Sequence, residues 1–150
     1  MYFWKTGKLA SDIKTVGIEE AVKMSYYLAT TIITLIMSML VIALSPQKDI
    51  YSALVECISL IIISILGIKI TFASNKGNLG IDYIGRVVAL SFPLSIKMLF
   101  FGFIFGFVLG LYVEMSKNTA FMPWATSLST VIIQMWYFWR LNIHLRFINA

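Results

Sequence analysis

Two ionisable side chains stand in apolar surroundings, Lys97 and Glu56, and they frame the chemistry this sequence could do. An ammonium and a carboxylate taken out of water either pair, offsetting each other's desolvation, or stay apart and serve a proton or ion path. Glu56 alone would be a titrating carboxyl, since burial favours its protonated form, and Gln134 adds a neutral polar group to the same candidate path. Direct pairing asks both side chains to stretch, because their depths differ by around 10 Å at about 1.5 Å per helical residue. Lys97 also has a structural reading: its side chain leans toward the helix start, where Pro93 leaves the carbonyl of Ala89 without a donor. A Ser–Lys dyad with Ser91 or Ser95 fails on geometry, for a step of about 100° per residue puts both serines on the face opposite Lys97. His144 is the only histidine, with no Cys, Asp or Glu near it in sequence, and Cys57 is the only cysteine. Metal ligation, a catalytic triad and an internal disulfide therefore find no support, and neither an enzyme nor a cofactor is expected.

The elements that must position these groups are four long apolar segments, 24–45, 50–72, 87–113 and 121–139. A bilayer core of about 30 Å takes about 20 apolar residues as a helix, and hydrocarbon obliges the backbone to satisfy its own hydrogen bonds. The sequence thus predicts an all-α integral membrane protein, a four-transmembrane-helix bundle over 24–150 preceded by an amphipathic arm over 1–23. Composition agrees: 59% of residues are hydrophobic and 13% charged, against roughly 25% charged in soluble domains. The net charge of +5 would suggest nucleic acid in a soluble protein, but here it sorts by side of the membrane. Lys5, Lys8, Lys14, Lys23, Lys69, Lys76, Arg86, Arg140 and Arg146 fall on the side of the chain ends, and only Lys48 and Lys117 on the other. The positive-inside rule then sets both termini in the cytoplasm, of a bacterial inner membrane by expectation, with no nucleic-acid partner.

In the arm, Leu9, Ile13 and Val16 share one side of a helix and Lys5, Lys8 and Asp12 the other, with Tyr2, Phe3 and Trp4 suited to headgroup depth. An interfacial helix is expected there, either anchoring to lipid or docking a partner. No short apolar core follows the first basic residues, so no cleavable signal is expected. Ser45 to Asp49 reads as a tight turn making the first two spans an antiparallel hairpin, and residues 74–86 as an irregular basic loop. Asn118 or Thr119 can cap the last span, with Pro123 in its first turn and Trp124, Trp136, Tyr137 and Trp139 at interfacial depths.

The third span carries a stripe of small residues, Ser91, Ser95, Gly102, Gly106 and Gly110, in which the glycines repeat every fourth position. Small residues allow close helix approach in lipid, either within one chain or between copies. Polar stripes run along the first span (Tyr27, Thr30, Thr34, Ser38, Ser45) and the last (Thr126, Thr130, Gln134, Tyr137, Arg140, His144), suited to interhelical hydrogen bonds or a wet path. By size and helix count the chain can be set beside the small multidrug transporters, but its first span has no acid where theirs is essential, and membership is not inferred. The expectation is a non-enzymatic, self-associating membrane subunit, an anchor or sensor that offers Lys5, Lys8, Lys14, Lys76, Arg86, Arg140 and Arg146 to a cytosolic protein partner. Small bacterial operon proteins, immunity and phage-defence components among them, take this form. The alternative is a small oligomeric ion channel or proton-coupled transporter with Lys97 and Glu56 along its path.

Overall fold

The computed structural model describes residues 2, 4–44, 50–116 and 119–150, with the backbone alone at 20, 35–44 and 116. The turn expected from Ser45 to Asp49, the cap at Asn118, Lys48, Lys117, Phe3 and the side chain of Ser38 lie outside the described residues. Those residues form five helices: α1 (Thr6–Thr15), α2 (Glu20–Leu44), α3 (Ile50–Ser74), α4 (Tyr83–Ser116) and α5 (Met122–Asn149), with a 3-10 turn over Gly77–Leu79. Two of them, α3 and α4, are long and apolar enough to cross a membrane, with mean hydropathies of 2.3 and 2.1. The hydroxyls and Gln134 of its first half leave α5 below that level of apolarity.

α1 forms because Thr6, Leu9, Ala10 and Ile13 recur at helical spacing on one face. It stops where Gly17 turns into the left-handed region at φ 82°, a conformation glycine adopts at little cost. α4 runs 34 residues and passes through a buried Pro93 without ending. At about 1.5 Å per residue it is about 51 Å long, well over a bilayer core. α5 likewise continues past the expected end at 139 to Asn149.

The helices pack in a row, α3 along α5, α5 along α4 and α4 along α2, with α1 laid across α4 and α5. Among the described residues α2 packs chiefly on α4 and α3 on α5, and the turn on which the expected hairpin of the first two spans depends lies outside them. Helices α4 and α5 supply the apolar faces that α2 and α3 need, so neighbours in sequence became the two flanks.

The core is confined to one end. Leu9, Ala10 and Ile13 of α1 close over Leu90 and Leu94 of α4 and Leu141, Leu145 and Ile148 of α5, with the ring of Tyr26 of α2 tilted against Phe92 at 5.7 Å. Elsewhere the helices face outward: only 6% of the most apolar window of α3, and of α4, is buried. The accessible surface totals 9672 Å², against roughly 7,700 Å² for a compact soluble monomer of this mass.

Candidate functional site

A polar layer closes the packed end and fixes the heights of everything above it. Asn75, fully buried after α3, accepts from Arg86 Nη1 at 2.9 Å and from Asn149 Nδ2 at 3.1 Å. Arg86 also donates to Asn149 Oδ1 at 2.9 Å, and Asn149 donates to the carbonyl of Ser74 at 3.2 Å. Ser74 in turn donates to Asn142, and Lys23 reaches Asp82 at 2.6 Å. The backbone makes room for this: Gly80 lies so close to the carbonyl of Asn75 that a Cβ there would overlap it. Asp82 sits at φ 51° while accepting from the amide of Gly85. The arm is tied down at this end of the molecule: Tyr2 donates its amide to Tyr26 Oη at 2.9 Å and its phenol to Asp12, and Lys14 lies 5.1 Å from the Phe147 ring near the end of α5. The bond to Asp12 holds the Tyr2 phenol above the ordinary tyrosine range, with burial and the Asp12 charge adding to it.

Lys97 is met by the arm. Its Nζ donates to Thr6 Oγ1 at 2.9 Å and lies 5.5 Å from the centre of the Trp4 ring, which itself stands edge-on to Phe100 at 6.1 Å. Across the gap, α5 brings Arg140, whose guanidinium lies 5.9 Å from the Trp139 ring, and His144 below it. Arg140 is close enough to act electrostatically on Lys97. His144 is 7% exposed, and its Nε2 is buried with no hydrogen-bond partner among the described residues. Burial first, then the charges of Arg140 and Lys97, pull the His144 pKa from 6.5 down to about 4, so the ring is neutral near pH 7. Thr6 was missed at the level of sequence, although it sits one turn before Leu9 and Ala10 on the apolar face, where a hydroxyl needs a partner.

Glu56 has a separate location. It accepts from Ser127 Oγ of α5 at 2.6 Å, and Lys97 has its partners in the arm instead. Gln134 approaches Ser64 at 3.5 Å and lines a cavity of about 310 Å³ between α2, α4 and α5 with Thr30, Thr34, Ser91, Ser95 and Tyr137. Ser91 donates to the carbonyl of Val87 at 2.7 Å and meets the Tyr137 hydroxyl at 2.6 Å, while Thr30 Oγ1 is buried without a partner among the described residues. The polar stripes of three helices thus converge on one small space. The small-residue stripe divides: its serines line this cavity, whereas a Cβ added at Gly102, Gly106 or Gly110 would meet nothing within 4 Å. The close helix approach occurs elsewhere, at Gly67 of α3, where an added Cβ would overlap the Phe138 ring of α5.

Of the basic residues expected to dock a partner, Lys5, Lys8, Lys14, Lys76 and Arg146 are exposed, and Arg86 and Arg140 are partly buried. Arg86 is engaged inside the polar layer. Among the described residues no cluster of His, Cys, Asp and Glu suits a metal ion. No family model matches the chain, and no curated protein or solved structure matches it either.

Proposed function

We propose that the chain is a non-enzymatic, multi-pass membrane subunit, an anchor or sensor whose packed pole lies in the cytoplasm and offers a basic surface to a soluble partner protein. The observation that carries this reading is the contrast between the two parts of the molecule. One end has a buried core, both chain ends and the exposed lysines Lys5, Lys8, Lys14 and Lys76. The remainder turns Ile, Leu and Phe side chains outward along α3 and α4, far more apolar surface than a soluble monomer leaves uncovered.

This reading sets the cytoplasmic headgroups at the level of Lys97 and Arg140. Residues 98–116 of α4 and 122–139 of α5 then cover about 28 and about 27 Å, a match to a hydrocarbon core of about 30 Å. Lys97 would sit at the rim of the bilayer, where an ammonium costs far less than at its centre. Self-association through the open glycines of α4 completes the proposal. A channel or proton-coupled transporter remains the rival, supported by the hydroxyl-lined cavity; Lys97 and Glu56 do not line it.

Single cysteines in a Cys57→Ser background test the topology. Those at Lys48 and Lys117 should label from outside intact cells, and those at Lys8 and Lys76 only after permeabilisation. The opposite pattern refutes the orientation, and ion flux through purified protein in liposomes would favour the rival.

A further inference from the structure

The level of Lys97 and Arg140 carries more charge than the fold itself uses. Arg86 and Asn149, bonded to each other, mark a common height on α4 and α5. From that layer Lys97 is about 16 Å along α4 and Arg140 about 14 Å back along α5, so the two cations of these antiparallel helices stand at similar heights, with Arg140 near enough to act electrostatically on Lys97. Neither makes a salt bridge among the described residues. Lys97 has one hydrogen bond, to Thr6, and Arg140 has only the face of Trp139. Trp4 stands by Lys97 and Trp139 by Arg140, and Trp136 packs on Phe101 at 5.6 Å. Tryptophans of this kind seat at the headgroup region, and the apolar surfaces of α4 and α5 run onward from this level toward the far end.

Two uncompensated cations, one of them a planar fork, beside aromatic rings and at the end of an apolar stretch of two helices, match a ligand with an anionic phosphate head and hydrocarbon tails. We infer that Lys97 and Arg140 form a binding site for the phosphate of an anionic phospholipid, at the seam between α4 and α5 beside the N-terminal arm. Phosphate oxygens would take the free donors of both side chains, and Trp4 and Trp139 would border the glycerol region. The inference rests on the membrane reading above.

Its test uses the purified full chain in mild detergent, with binding of phosphatidylglycerol and of phosphatidylcholine followed by native mass spectrometry. Wild type should retain phosphatidylglycerol in preference to phosphatidylcholine. Lys97→Met and Arg140→Met should each weaken phosphatidylglycerol binding roughly five-fold, and together roughly thirty-fold, the loss expected for one and two interfacial charges. Lys97→Arg, which keeps the charge, should stay within about two-fold of wild type and covers the case of a double variant that does not fold. Equal binding of the two lipids by wild type overturns the inference, as does undiminished phosphatidylglycerol binding by the double variant. Inorganic phosphate that displaces the lipid or occupies the site by itself would make the ligand a soluble phosphate and overturn the lipid assignment. Alkaline carbonate washing of cell membranes separates the two levels of the argument: release of the chain refutes the membrane reading, while retention without lipid preference refutes only this site.

Discussion

Leu9→Ala should release the arm. Leu9 is 4% exposed, closed between α4 and α5, and with Ala10 and Ile13 it supplies the buried apolar contact of α1, beside the Thr6–Lys97 bond and the Lys14–Phe147 contact. Truncating a buried leucine costs about 2–5 kcal/mol including the cavity left behind, and a peripheral helix can partly settle into the space, so a loss of about 3 kcal/mol is reasonable. At about 1.4 kcal/mol per decade, the undocked population should rise roughly a hundredfold. Trypsin reads that population at Lys8 and Lys14, because a docked helix must open before it can enter the protease, and cleavage follows the open fraction while opening and closing are fast. Val16→Ala is the control, since Val16 is 88% exposed although it shares the apolar side of the sequence pattern with Leu9 and Ile13; its cleavage rate should stay within about two-fold of wild type. A Leu9→Ala protein cut at the wild-type rate, or a Val16→Ala protein cut as fast as Leu9→Ala, would refute the docking of α1.

Gly67→Ala should lower thermal stability by about 1–2 kcal/mol, the overlap with Phe138 outweighing the better helix propensity of alanine, and Phe138→Leu in the same chain should recover most of it. His144 should make stability pH-dependent. Its folded pKa of about 4 lies below 6.5, so stability is fully present above pH 6.5 and is lost as pH falls toward 4. The shift corresponds to about 3 kcal/mol at most, and solvent screening reduces it to about 1–2. Melting curves of wild type minus His144→Phe across this range should show the slope, and a flat difference would discard it. Gly106→Leu should reduce or disperse the particle size in mild detergent if copies meet at the open glycines of α4, and an unchanged size would leave that stripe facing lipid.

The helices and their apolar stretches could be read from the chain, because hydropathy and the 3.6-residue period act over a few turns at most. Leu9 and Ile13 announced an amphipathic helix in the arm, and its end at Gly17 came only from the structure. The partners of those faces were decided only in three dimensions. Nothing in a helical wheel specifies that Lys97 meets Thr6, 91 residues away, or that Glu56 meets Ser127 across 71. Lys97 falls near the middle of an apolar run in the sequence, and only the fold shows that α1 packs across α4 and that Thr6 takes its ammonium, which is what lets the proposed orientation set it at the rim of the membrane. The asparagine layer was illegible for a related reason. Asn75 and Asn149 are ordinary loop and terminal residues by sequence, and they became a buried lock because Arg86 required acceptors where the ends of α3 and α5 and the start of α4 come together, a demand that exists only after the helices have packed.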